Sequence, residues 1–93
     1  LRMKKLKLII KNELGLHLRP SSKLAQLASK YPCEIWISKN DKKVNAKSVL
    51  GITMLAAGKG SELEIEFDGE KENQAASEIE NFFNSNFHEE SKT

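Results

Sequence analysis

The 93-residue chain has one cysteine, two prolines and one tryptophan, and aromatic residues make up only 6% of it. A single cysteine excludes an intramolecular disulfide, and a reducing cytoplasmic setting is the simplest reading. Cys33 stands beside apolar positions, where a thiol serves as a small hydrophobe and not as a nucleophile. No apolar run approaches the ~20 residues of a membrane-spanning helix, and no signal-peptide core follows the basic start, so no membrane insertion is expected. Leu1 and Arg2 precede Met3, which reads as the native start. Repeats, linkers and low-complexity segments are also missing.

Charge of one sign is lacking too. Fifteen Lys and Arg against 13 Asp and Glu leave a formal net charge of +2, although charged residues make up 30% of the chain. A nucleic-acid binder would concentrate basic residues on one face, and this balance argues against that class. The length suits one compact domain and not two. The expectation is a single domain over residues 3–87 with a frayed tail at 88–93, His88 within it solvated and inert.

What is present is periodicity. "KKLKLIIK" (4–11) puts Leu6, Leu8 and Ile10 on one face and Lys5, Lys7 and Lys11 on the other, a half-buried strand. From Leu18 to about Lys30, Leu24, Leu27, Ala28 and Tyr31 recur at helical spacing, and Pro32 ends the run. "CEIWIS" (33–38) alternates again, "KNDKK" has hairpin-turn composition, and a short strand is expected around Val44. "SVLGITMLAAGKG" (48–60) reads as a short helix with Ser48 as N-cap and Gly58 or Gly60 just past its end.

"ELEIEFD" (62–68) is the clearest strand, with Leu63, Ile65 and Phe67 facing in. Its acidic outer face matches the lysine face of the first strand, so the two are expected to be neighbours. A last helix runs from about Asn73 to Phe83, with Ala75, Ala76, Ile79, Phe82 and Phe83 as its apolar stripe. The order is β-α-β-β-α-β-α. It predicts an α+β fold, a two-layer open-faced sandwich with a four-stranded antiparallel sheet covered on one face by three helices.

Chemistry concentrates in "ELGLHLRPSS" (13–22). Gly15 frees the backbone for a tight approach, and a helix starts at or just after His17. A helix start offers unpaired N–H groups and the positive end of the macrodipole, which together favour an anion. Arg19 adds a donor fork suited to phosphate oxygens. Pro20 falls in the first turn, where its missing N–H costs nothing. The same helix end disfavours an imidazolium, which tends to keep the ring neutral and nucleophilic. A neutral imidazole beside an anion cradle can attack a phosphoryl group and hold the product. The plainer alternative is that His17 only caps the helix while Arg19 is solvated, and the local residues leave both readings open.

"GLHLRP" resembles the Gly-[Ile/Leu]-His-x-Arg-Pro motif of the HPr family, the histidine-containing phosphocarriers of the sugar phosphotransferase system. "NAKSVLGITML" followed by "AAGKGSELEI" resembles that family's second signature, and the likeness runs from about Lys4 to Phe83. The resemblance implies that His17 accepts the phosphoryl group, through Nδ1, and that Arg19 pairs with the phosphate. It implies enzyme I as donor and enzyme IIA domains as acceptors, with no cofactor and no metal. Ser48 would be the regulatory site, phosphorylated by an ATP-dependent HPr kinase/phosphorylase. Leu18, Val49, Leu50 and Thr53 would form part of the apolar docking patch, and the protein is expected to be a monomer.

The sequence departs from the pattern at three places. Leu18 stands where alanine or threonine is usual, Ser21 and Ser22 replace an Ala-Thr pair, and Ala56-Ala57 falls where glycine is frequent, with little expected consequence. Two rival readings remain. One is a regulatory paralogue in the nitrogen-related branch, against which retention of "NAKSVLG" weighs slightly. The other is a small ligand- or RNA-binding domain, which would need outward aromatics where Trp36 alone is expected.

Overall fold

The computed structural model describes residues 3–88. Its strands are β1 (Lys4–Ile9), β2 (Glu34–Lys39), β3 (Lys42–Asn45) and β4 (Glu62–Asp68). The helices are α1 (Leu18–Ser29), α2 (Val49–Met54) and α3 (Glu72–Asn84), in the order β1-α1-β2-β3-α2-β4-α3. A short 3-10 turn, Asn86–His88, follows α3. All strand pairs are antiparallel, and the sheet order is β1-β4-β2-β3. This is the expected open-faced sandwich, with the helices on one face.

Alternation in the strands sets the register. Leu6 faces Ile65 and Leu8 faces Leu63, while Lys5 faces Glu66 and Lys7 faces Glu64. The lysine face of β1 thus lies beside the acidic face of β4, as the pattern demanded. The inward residues Ile35, Ile37, Leu63, Ile65 and Phe67 meet Leu24, Ala28, Ala75, Ala76, Ile79 and Phe82 from the helices, all buried. Each large apolar side chain buried this way contributes roughly 1.5–3 kcal/mol. Cys33 is buried with them at 2% exposure, and burial pushes its thiol pKa up, which keeps it protonated and unreactive.

Several boundaries differ from expectation. Strand β1 stops at Ile9, although Ile10 is buried and its N–H donates to the Ser61 carbonyl at 3.0 Å. The end of α3 also holds more than the periodicity suggested. Asn86, Phe87 and His88 all have positive φ, which turns the chain back and buries Phe87 against Phe82 and Phe83. His88 belongs to this turn and not to a frayed tail: its ring packs edge-on against Phe82, with centroids 5.1 Å apart. Residues 89–93 of the expected tail lie outside the described residues.

The largest correction concerns α2, which ends at Met54 and does not reach Gly58 or Gly60. Ala56 takes a left-handed conformation, φ 50°, and stops the helix. Alanine pays for that conformation where glycine would not, so the replacement is not neutral as expected. An Ala56→Gly variant should be more stable by about 1 kcal/mol. The corresponding rise in Tm, about 4–8 °C for a chain of this size, is readable by thermal melting.

Candidate functional site

His17 is the N-cap of α1, with extended backbone (φ −79°, ψ −171°), and its side chain does not cap the helix. The first intrahelical bond runs from the Ser21 N–H to the His17 carbonyl at 2.9 Å. Leu18, Arg19 and Pro20 therefore form the first turn. An α-helix leaves the N–H groups of that turn without intrahelical acceptors, and Pro20 has none to offer. The donors presented here are those of Leu18 and Arg19. No acidic residue occupies the turn to compete for them.

His17 is half-buried, whereas Leu18 and Arg19 are exposed. His17, Leu18, Arg19, Ser22, Lys23 and Gln26 line one open depression on the surface. Lys23 was not singled out from the sequence. It sits one helical turn after Arg19, and that i, i+4 spacing was the available signal. Two cations, two backbone donors and an imidazole thus surround a surface suited to an anion.

The loop that delivers His17 is anchored from several sides. The Asn12 side-chain amide donates to the Gly15 carbonyl at 3.0 Å, and the Gly15 N–H returns to the Asn12 carbonyl at 3.2 Å. The Leu16 N–H donates to the Ala57 carbonyl at 2.9 Å, and the Gly60 N–H donates to the Ile10 carbonyl at 2.8 Å. Ser21, fully buried, donates its hydroxyl to the Leu16 carbonyl at 3.1 Å. The sequence marked Ser21 only as a departure from a motif, and its burial had no local signal. An exposed ion pair between Lys59 and Glu13 also spans the two loops, and the hydrogen bond from Lys59 holds the Glu13 carboxyl below its ordinary pKa.

Ser48 caps α2, its hydroxyl oxygen accepting from the Gly51 N–H at 3.0 Å. Helices α1 and α2 pack against each other. Leu18 is 65% exposed, Leu50 71% and Met54 59%. Val49 packs partly against the core, and the Thr53 hydroxyl donates back to the Leu50 carbonyl. Met54 is the exposed apolar residue here that the sequence reading missed, because it was assigned to the middle of a longer helix.

The profile of the PTS HPr component phosphorylation site matches residues 4–85. The chain belongs to the HPr family. Among HPr relatives, a phosphocarrier protein HPr of Neisseria meningitidis is 46% identical over 78 residues, covering 84% of this chain and 88% of that one. A solved HPr structure from Thermoanaerobacter tengcongensis superposes with a TM-score of 0.89 at 39% identity, covering 95% of this chain and 99% of that one. The Bacillus subtilis protein Crh, a catabolite repression HPr seen as a dimer with a swapped domain, has a TM-score of 0.71 at 30% identity, with 87% and 93% covered. This HPr-family chain is thus related to the phosphocarriers of the phosphotransferase system over nearly its whole length. Among the described residues of this HPr domain, no group of three or more His, Cys, Asp or Glu is placed to hold a metal ion. No helix there is long and apolar enough to cross a membrane.

Proposed function

We propose that the chain accepts a phosphoryl group on His17 from phospho-enzyme I and passes it to enzyme IIA domains for sugar uptake, in the cytoplasm and as a monomer. One observation carries the reading: a histidine stands at the head of α1 beside the Leu18 and Arg19 N–H groups, with no acid in the first turn. The protein is a carrier and has no turnover of its own. The imidazole nitrogen attacks phosphorus, the N–P bond forms as the bond to the donor breaks, and the guanidinium of Arg19 balances the charge on the phosphoryl oxygens. The exposed apolar side chains Leu18 on α1 and Leu50 and Met54 on α2, together with Val49 and Thr53, give a partner surface on the two helices that pack together at that chemistry. The RNA-binding alternative loses its main support, because Trp36 is half-buried between Glu66 and Asn45 on neighbouring strands.

Incubation with phosphoenolpyruvate and enzyme I should yield an acid-labile, base-stable phosphate on the protein. No label would overturn the reading. Sedimentation checks the monomer, which matters because Crh is dimeric.

Ser48 is the proposed regulatory acceptor. A phosphate there adds roughly −1.5 to −2 charges beside exposed Leu50, setting charge against any partner that buries an apolar face. Treatment with HPr kinase/phosphorylase and ATP should give an acid-stable phosphate that Ser48→Ala lacks. The same variant loses a helix cap and should be about 1 kcal/mol less stable by denaturant melting. Equal labelling of both proteins would refute the site.

A further inference from the structure

The last turn of α2 points its carbonyls at the end of the β2–β3 hairpin. Lys39, the final residue of β2, donates from Nζ to the carbonyls of Leu55 and Ala56, both at 3.0 Å. Lys42, the first residue of β3, donates from Nζ to the Met54 carbonyl at 3.3 Å. An ammonium group at a helix C-terminus satisfies acceptors that have no partner within the helix and sits at the negative end of the dipole.

The next carbonyl along the chain, that of Ala57, accepts the Leu16 N–H at 2.9 Å. Gly15 packs against the same oxygen so closely that a Cβ there would stand 2.6 Å from it. His17 follows directly. A chain of contacts therefore runs from Lys39 through the carbonyls of Leu55 and Ala56 to Ala57, then to Leu16 and the entry of α1. Its weakest member is Ala56, held at φ 50° without glycine's freedom.

We propose that Lys39 is a positioning residue for His17. By clamping two successive carbonyls it fixes the peptide planes that lead to Ala57, and so fixes the acceptor on which the His17 segment hangs. The other lysine spanning these loops, Lys59, forms an exposed pair with Glu13, and pairs of that kind are weak. Lys39 is half-buried and makes two bonds to a strained segment, which is where a charged donor has most to hold.

The proposal rests on His17 being the phosphoryl acceptor, and one of its two readouts does not. Lys39→Met, Lys39→Arg and Lys43→Met are compared; Lys43 pairs with Glu66 on the open face of the sheet and serves as the control. Hydrogen exchange at the Leu16 amide is measured by NMR, together with the rate of phosphoryl acceptance from phospho-enzyme I. Lys39→Met should speed Leu16 exchange about tenfold. It should also lower the maximal transfer rate about three- to tenfold, leaving the donor concentration for half-maximal rate within about twofold. Lys39→Arg should restore most of both, and Lys43→Met should match the parent protein. With Ala56→Gly in the background, which removes the strain, the loss on Lys39→Met should shrink.

Unchanged Leu16 exchange in Lys39→Met would overturn the proposal, as would an equal loss in Lys43→Met or no rescue by arginine. If the unmodified protein takes no phosphoryl group, the phosphocarrier reading falls. Leu16 exchange then still decides whether Lys39 sets this geometry.

Discussion

The His17→Ala variant is expected to take up no phosphoryl group from phospho-enzyme I, and Arg19→Ala to take it up about a hundredfold more slowly. The first expectation follows from the nucleophile. Among the residues lining the depression at the head of α1, only His17 carries an imidazole nitrogen able to attack phosphorus; Arg19 and Lys23 are cationic side chains, the Gln26 amide nitrogen is a donor only, and the Ser22 hydroxyl is a weak nucleophile. The second follows from charge. The Leu18 and Arg19 N–H groups remain when the guanidinium is removed, so the anion cradle is weakened and not abolished. Arg19→Lys should recover part of the loss, since it keeps the charge but not the two-pronged donor. Arg19 is exposed, so its substitution should leave the fold intact, and an intact fold in both variants is the condition for reading the label. Circular dichroism and melting check that condition, and an acid-labile phosphate on His17→Ala equal to that of the parent would sink the assignment.

The contrast between what was legible in the sequence and what was not has a physical origin. Strand β4 could be read because Leu63, Ile65 and Phe67 alternate with four acids, and alternation is a property of the strand alone. The stripe of α3 could be read for the same reason, from spacing within one element. The head of α1 carries its signal locally as well: Gly15, His17, Arg19 and Pro20 are neighbours in the chain. The end of α2 is different. Residues 55–57 have helical composition, and the helix stops because Lys39 and Lys42, on another element, take up the carbonyls and Ala56 turns left-handed. Phe87 has no periodic partner in its own segment, and its burial depends on three successive positive φ values. Ser21 is buried because the Leu16 carbonyl needs a donor, which follows only from the packed loop.

Gly15→Ala carries the largest expected loss of stability. Gly15 has φ +68°, which costs an L-residue about 1 kcal/mol or more. An added Cβ would also lie 2.6 Å from the Ala57 carbonyl oxygen and 2.7 Å from Gly58 Cα. Both are backbone atoms, so no side chain can swing aside, and one loop must move. Forcing a methyl into such a contact typically costs about 1–3 kcal/mol, bringing the total to roughly 2–4 kcal/mol. For a chain of this size that lowers Tm by about 8–32 °C. Movement of the 57–58 loop would break the Leu16 to Ala57 hydrogen bond, so phosphoryl acceptance should fall about tenfold or more in protein that is still folded at the assay temperature. Gly58→Ala is the matched control, because nothing lies within 4 Å of a Cβ there and the surface site should tolerate it within about 0.5 kcal/mol. Equal melting of the two variants would mean that the loop yields at little cost, and that the close approach of Gly15 to Ala57 does not govern how the chain enters α1.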